Sequence, residues 1–129
     1  MQQYWAYSCR SFFVGAVSPS LITPSAIIAP NGRILTETTN YFNYATAVIN
    51  LDRALLHLDY NRPKLAEIKK KYGSEVEIDD TGKLGSVLLY SNSNDFTVRD
   101  LIKEYELETL DDYFKRAGAM AGNAENQYI

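Results

Sequence analysis

Cysteine, histidine and tryptophan each occur once in this chain of 129 residues. One cysteine excludes an internal disulfide framework and makes a reducing, cytoplasmic compartment the expectation. With one Cys and one His the usual zinc ligand sets cannot be assembled. Long apolar runs are missing too. None approaches the roughly 20 residues that span a bilayer, and the opening MQQYWAYSCR has no basic leader before an apolar core. Glycine is scattered, so no phosphate-cradling loop can be read. Lys and Arg do not cluster with aromatics, which argues against nucleic acid. The expectation is a chain with no cofactor, metal, nucleic-acid or membrane partner.

What is present is ordinary for a globular domain: 46% hydrophobic and 22% charged residues, too apolar for disorder. The length suits one domain, or one domain with a tail. Charge is split along the chain. Residues 1–72 hold eight Lys and Arg against four Asp and Glu, a net of +4, while residues 73–129 hold five against twelve, a net of −7. The two halves attract at short range.

The local pattern predicts mixed helices and strands. Tyr4 to Arg10 reads as the end of a helix. Phe12 to Val17 (FFVGAV) is apolar apart from small residues, as in a strand covered on both faces. SPSLITP (Ser18 to Pro24) is a loop. Ser25–Ala29 and Arg33–Thr38 form a hairpin across Pro30-Asn31-Gly32, where Asn and Gly tolerate positive φ. ATAVINLD, Ala45 to Asp52, reads as a further strand dry on both faces. Asn61 is placed to cap a helix with Pro63 in its first turn, with Leu65, Ile68 and Tyr72 on one face and Gly73 at its end. EVEID alternates as a half-exposed strand, and Ser86 to Tyr90 is apolar again. Thr97 with Asp100 reads as a capping box, and Thr109 caps a last short helix. GAMAGNAENQYI keeps no period and reads as a loose tail.

SAIIAPNGRIL, then ATAVINLD, then NRPKLAEI together resemble the C-terminal half of the carbon–nitrogen hydrolases, the nitrilase superfamily. The residues that carry the resemblance are Ser25, Ile27, Pro30, Gly32 and Ile34, then Val48, Ile49 and Leu51, then Arg62, Pro63 and Leu65. AYSCRSFFVGAV is similar to the helix-to-strand step before that hairpin. The match covers residues 4 to 72 and thins from residue 73. The resemblance implies an α/β fold, half of a four-layer α-β-β-α sandwich whose strands are dry on both faces. For the isolated chain it implies an α+β fold with a helical C-terminal extension. It also implies hydrolysis or transfer at a nonpeptide C–N bond, with a cysteine nucleophile, a glutamate base and a lysine at the oxyanion. In the family all three precede the matched segment, so none can be placed on a residue here.

Four other features invite a functional reading. Cys9 falls in the helix before the first matched strand, and a lone helical cysteine is more often a small buried hydrophobe. Arg10 beside it would lower its pKa, but adjacent helical residues do not face each other. His57, in LLHLDY, has no ligand set. Glu75, Glu77, Asp79 and Asp80 lack the spacing of a calcium loop and read as a solvated strand face with its turn. Lys69-Lys70-Lys71 ends a helix, where cations suit the dipole. No catalytic, cofactor-binding or metal-ligating residue is assigned.

The expected organisation is a hydrolase-like half over residues 1–72, an acidic β/α extension over 73–118 and a flexible tail over 119–129. The expected function is that of a C-terminal hydrolase segment, inactive as an amidase by itself, with Met1 an internal methionine or the start of a separate piece. The alternative is an interaction or oligomerisation module built on the half-fold. Either way an uncovered apolar sheet face calls for a partner. A homo-oligomer, or a complex with a separate N-terminal half of the hydrolase, is expected.

Overall fold

A computed structural model describes residues 1–18 and 23–123, so part of the SPSLITP loop and of the tail lies outside the described residues. The chain is α+β, with two three-stranded antiparallel sheets. It divides into two compact units, 1–51 and 52–129.

In the first unit α1 (Gln2–Ser8) precedes β1 (Phe13–Gly15), β2 (Ala26–Ile28) and β3 (Ile34–Glu37), ordered β1-β2-β3. The predicted hairpin forms as read. The Ala29 N–H donates to the Arg33 carbonyl at 2.8 Å and the Gly32 N–H to the Ala29 carbonyl at 2.8 Å, while the side-chain oxygen of buried Asn31 accepts from the Arg33 N–H at 3.2 Å. Gly32 has φ +82°, a left-handed geometry that disfavours any Cβ. Gly32→Ala is expected to cost about 1 kcal/mol in urea denaturation. The Gln3 amide donates to the Gly32 carbonyl at 2.7 Å, tying α1 to the turn. Ala6, Ala26 and Ile28 form a small core with Phe13 against it.

Two expectations fail in this unit. The first strand is not covered on both faces: Val14 is 70% exposed, because β1 spans three residues and α1 covers only one side of it. Ala45 to Asp52 is not a strand. Residues 44–51 carry no regular structure, and the next strand, β4, is Arg53–His57. The reason lies at Asp52, whose carbonyl accepts from the Ser91 N–H at 3.1 Å and whose carboxylate accepts from the Val98 N–H at 3.1 Å. Asp52 is the last residue β6 reaches, since β6 ends at Ser91, so the ATAVINL run before it has no strand to pair with.

The second unit follows β4 with α2 (Arg62–Tyr72), a short 3₁₀ turn, β5 (Val76–Asp79), β6 (Ser86–Ser91), α3 (Val98–Tyr105) and α4 (Leu110–Ala121). The sheet order is β4-β6-β5, so the last strand in sequence lies in the middle. Along β4 the register pairs Leu56 with Val87 and His57 with Ser86. All six residues of β6 are buried. One face carries Leu56, Val87, Leu89 and Val76 into a core closed by Leu65 and Ile68 of α2, Val98 and Leu101 of α3, and Leu107. Residues 53–72 thus share one core with 76–107, and the compact units part after Leu51 instead of after Tyr72.

The helix signals are met, with two changes. Thr97 and Asp100 form the reciprocal capping box: the Thr97 hydroxyl accepts from the Asp100 N–H and the Asp100 carboxylate from the Thr97 N–H at 2.8 Å. The Asp100 carboxyl is accordingly held below its ordinary pKa by the Thr97 backbone and side-chain hydrogen bonds. Its stabilising contribution is full above the unfolded aspartate pKa and is lost as pH falls through the lowered value. Asp100→Asn is therefore expected to flatten part of the acid limb of a stability-against-pH profile. Gly73 ends α2 with φ +57°. Asn61, however, makes no side-chain cap, because it is already helical at φ −90°, ψ −21° and its amide is engaged elsewhere. The expected tail is also shortened, since α4 continues through Ala121; residues 124–129 lie outside the described residues.

Candidate functional site

A group of polar and aromatic side chains gathers where β4 ends. Residues 108–109 dock along the free edge of β4: the His57 N–H donates to the Glu108 carbonyl at 3.3 Å, and Leu56 bridges Thr109. Thr109 caps α4 by accepting from the Asp112 N–H at 3.1 Å, which fixes the helix start. One turn on, Tyr113 stacks flat on His57, with ring centroids 3.6 Å apart and planes 5° from parallel. Arg116, one turn further, returns to the Glu108 carboxylate at 3.1 Å and lies over the Tyr113 and Tyr60 rings at 5.4 and 5.5 Å.

Asn61 holds this corner from below. Its amide nitrogen donates to the carbonyls of His57 at 2.6 Å and Glu108 at 2.7 Å, and its oxygen accepts from the Glu108 N–H at 3.0 Å. The side chain is a buried clip between the strand end and the segment that leads into α4.

A serine, a histidine and an aspartate also meet here. Ser86 faces His57 across the strand pair, so both side chains leave the same face of the sheet. Asp59 lies 3.8 Å from His57 Nδ1. A nucleophilic serine needs a base in hydrogen-bond reach and an opening to substrate. Ser86 has neither: it is buried, and its hydroxyl meets no hydrogen-bonding partner among the described residues. Asp59 is itself largely exposed. The trio is a juxtaposition and not a triad, and the corner is built to hold α4 on β4.

The other candidates are dispersed. Cys9 is exposed at the end of α1, its N–H bonded to the Trp5 carbonyl at 3.0 Å, which corrects the expectation of a buried small hydrophobe: α1 stops at Ser8 and Cys9 lies at its end instead of on its packed face. Arg10 is turned to the Tyr7 carbonyl and ring. Glu75 accepts from the Ser93 hydroxyl at 3.2 Å, and Asp80 from the Gly82 N–H at 2.7 Å. Glu77 and Asp79 lie on β5. Among the described residues no group of three or more His, Cys, Asp or Glu is placed to hold a metal ion. The lysine run does close α2: Lys69 reaches the Gly73 and Val76 carbonyls at 2.9 and 2.6 Å. Lys71 pairs with Glu104 at 3.1 Å and lies over the Tyr72 ring. The Tyr72 side chain first and Glu104 next hold its ammonium pKa above the ordinary lysine value. Among the described residues no helix is long and apolar enough to cross a membrane.

Searches of family models, of curated proteins and of solved structures return no match to this chain.

Proposed function

We propose that this chain is the C-terminal segment of a carbon–nitrogen hydrolase, contributing part of the sandwich and no catalytic residue. The observation that carries the reading is the hairpin. Ile27 and Ile34 lie on two antiparallel strands, Ser25 directly precedes the first, and Pro30 and Gly32 occupy the turn between them, with the glycine at its left-handed position. Helix α2 begins at Arg62-Pro63, which supports the helix-associated segment the resemblance expects there. The nucleophile, base and oxyanion lysine belong to a preceding segment, and a second copy or a separate N-terminal half completes the fold.

The test is an amide and nitrile hydrolysis assay on the purified chain beside Cys9→Ser. No turnover above buffer is expected from either. Hydrolysis that Cys9→Ser abolishes would overturn the proposal.

A second reading has one observation in its favour. Phe114 and Met120 are exposed on α4, whose start is firmly fixed on β4. That is a surface an interaction module would present. Coding sequence upstream decides between them: a frame running into a Glu, a Lys and a Cys at family spacing supports the hydrolase segment, and its absence supports the module.

A further inference from the structure

Exposed aromatic side chains recur along the chain: Tyr4 is 63% exposed, Tyr44 65%, Tyr60 67% and Phe114 51%. Their backbones differ. Tyr4 lies in α1 and Phe114 in α4, so the peptide bonds after them are held in helical hydrogen bonds. The bond after Tyr60 leads into buried Asn61, and the Arg116 guanidinium lies over the Tyr60 ring. Around Tyr44 the chain is open. The turn before it closes with the Thr39 N–H donating to the Phe42 carbonyl at 2.8 Å, and beyond it Asp52 is anchored to Ser91 and Val98. Residues 43–49 form no backbone hydrogen bond with any described residue. The residues after Tyr44, Ala45-Thr46-Ala47-Val48-Ile49, are small or β-branched, and an extended chain suits them.

We infer that the Tyr44–Ala45 peptide bond is a processing site for an endoprotease with an apolar S1 pocket, which cuts the chain there and leaves the second unit folded. A protease takes its substrate as an extended strand through main-chain hydrogen bonds, so a bond whose backbone is already paired is cut only after that region opens. The Tyr44–Ala45 bond needs no such opening, and the exposed Tyr44 ring is the large apolar group such a pocket receives. Water adds across the bond: the C–N bond breaks, Tyr44 keeps the carbonyl carbon as a carboxylate, and Ala45 becomes an N-terminal ammonium. The second unit survives because its core is its own. Leu56, Leu65, Ile68, Val87, Leu89 and Leu101 are buried among neighbours drawn from residues 54–107, and all three strands of that sheet follow Asp52. Neither the open segment nor that core depends on hydrolase identity.

Chymotrypsin, whose S1 pocket is a hydrophobic slot, is the probe, added in trace amount to the purified full chain and followed by intact mass. A product beginning at Ala45 is expected first, and it is expected to outlast the full chain about tenfold, since its remaining bonds wait on unfolding. Tyr44→Ser is expected to slow that cut about tenfold, with unchanged far-ultraviolet circular dichroism. Elastase, whose S1 pocket is small, is expected to cut after Ala45 or Ala47 equally fast in the wild type and in Tyr44→Ser, because the backbone there is open in both. A first chymotryptic cut within residues 1–123 at any other bond overturns the inference. So does a chain that resists both proteases, a Tyr44→Ser chain cut by chymotrypsin at that bond as fast as the wild type, or a product beginning at Ala45 that is lost as fast as it forms.

Discussion

Asn61→Ala is expected to lower the unfolding free energy by about 4 kcal/mol, one of the two largest single-residue losses in the second unit. One buried amide satisfies two carbonyls and one N–H, on His57 and Glu108. Removing it leaves those groups without that partner beneath a side chain that is 1% exposed, and each such loss costs about 1 to 3 kcal/mol. Asn61→Asp separates this from a simple size effect. A carboxylate can still accept from the Glu108 N–H but cannot donate to the carbonyls, and it sets a negative charge against both. It is expected to destabilise at least as much as alanine. Urea unfolding of the three proteins, followed by circular dichroism, is the measurement. A loss below about 1 kcal/mol for Asn61→Ala would mean that the corner relaxes and admits water.

Leu56→Ala is expected to cost about 4 kcal/mol by a different route. Leu56 is fully buried among Leu65, Ile68, Val76, Val87, Leu89, Val98, Leu101 and Leu107. Its β4 backbone is held on one side by β6 and on the other by Thr109, so the site cannot collapse onto the space vacated. Leucine-to-alanine changes at sites that cannot relax lie at the upper end of their range. Val48→Ala, at a fully exposed position, is expected to change the stability of the isolated chain by less than about 0.5 kcal/mol. Equal losses at the two positions, read from matched urea curves, would show that Val48 is covered in solution.

The local chemistry of the chain was legible where it depends on neighbours in sequence. The Pro-Asn-Gly hairpin, the Thr97 and Asp100 box, the Gly73 stop and the Thr109 cap are all decided within four or five residues, by turn geometry and orphan N–H groups. The strand choice was not. ATAVINLD and DRALLH are both plausible strands, and the one that forms is the one β6 pairs with. That decision rests on residues 86–91, between 29 and 37 positions from their partners on β4. Periodicity carries no information about it. The corner at His57 was equally hidden. Tyr113 and Arg116 share a helix face by their spacing, but nothing near His57 announces a ring 56 residues downstream. Asn61 looked like a cap because asparagine before Arg-Pro usually is one. Its tertiary bonds to Glu108 override that local preference.

Placing β6 between β4 and β5 sets an order for the nascent chain. As residues 53–72 leave the ribosome, β4 has no neighbour to pair with, since β5 is not adjacent to it in the finished sheet. The β5–β6 hairpin has the short loop and closes first, in microseconds once it is free. Only then can β4 join the far side of β6, and Thr109 seal its other edge later still. Until about residue 110 has been made, the apolar Leu55-Leu56 pair stays open to whatever else the cell offers. A holdase chaperone engaging the ribosome-bound chain would therefore be expected to release it only after α3 has emerged.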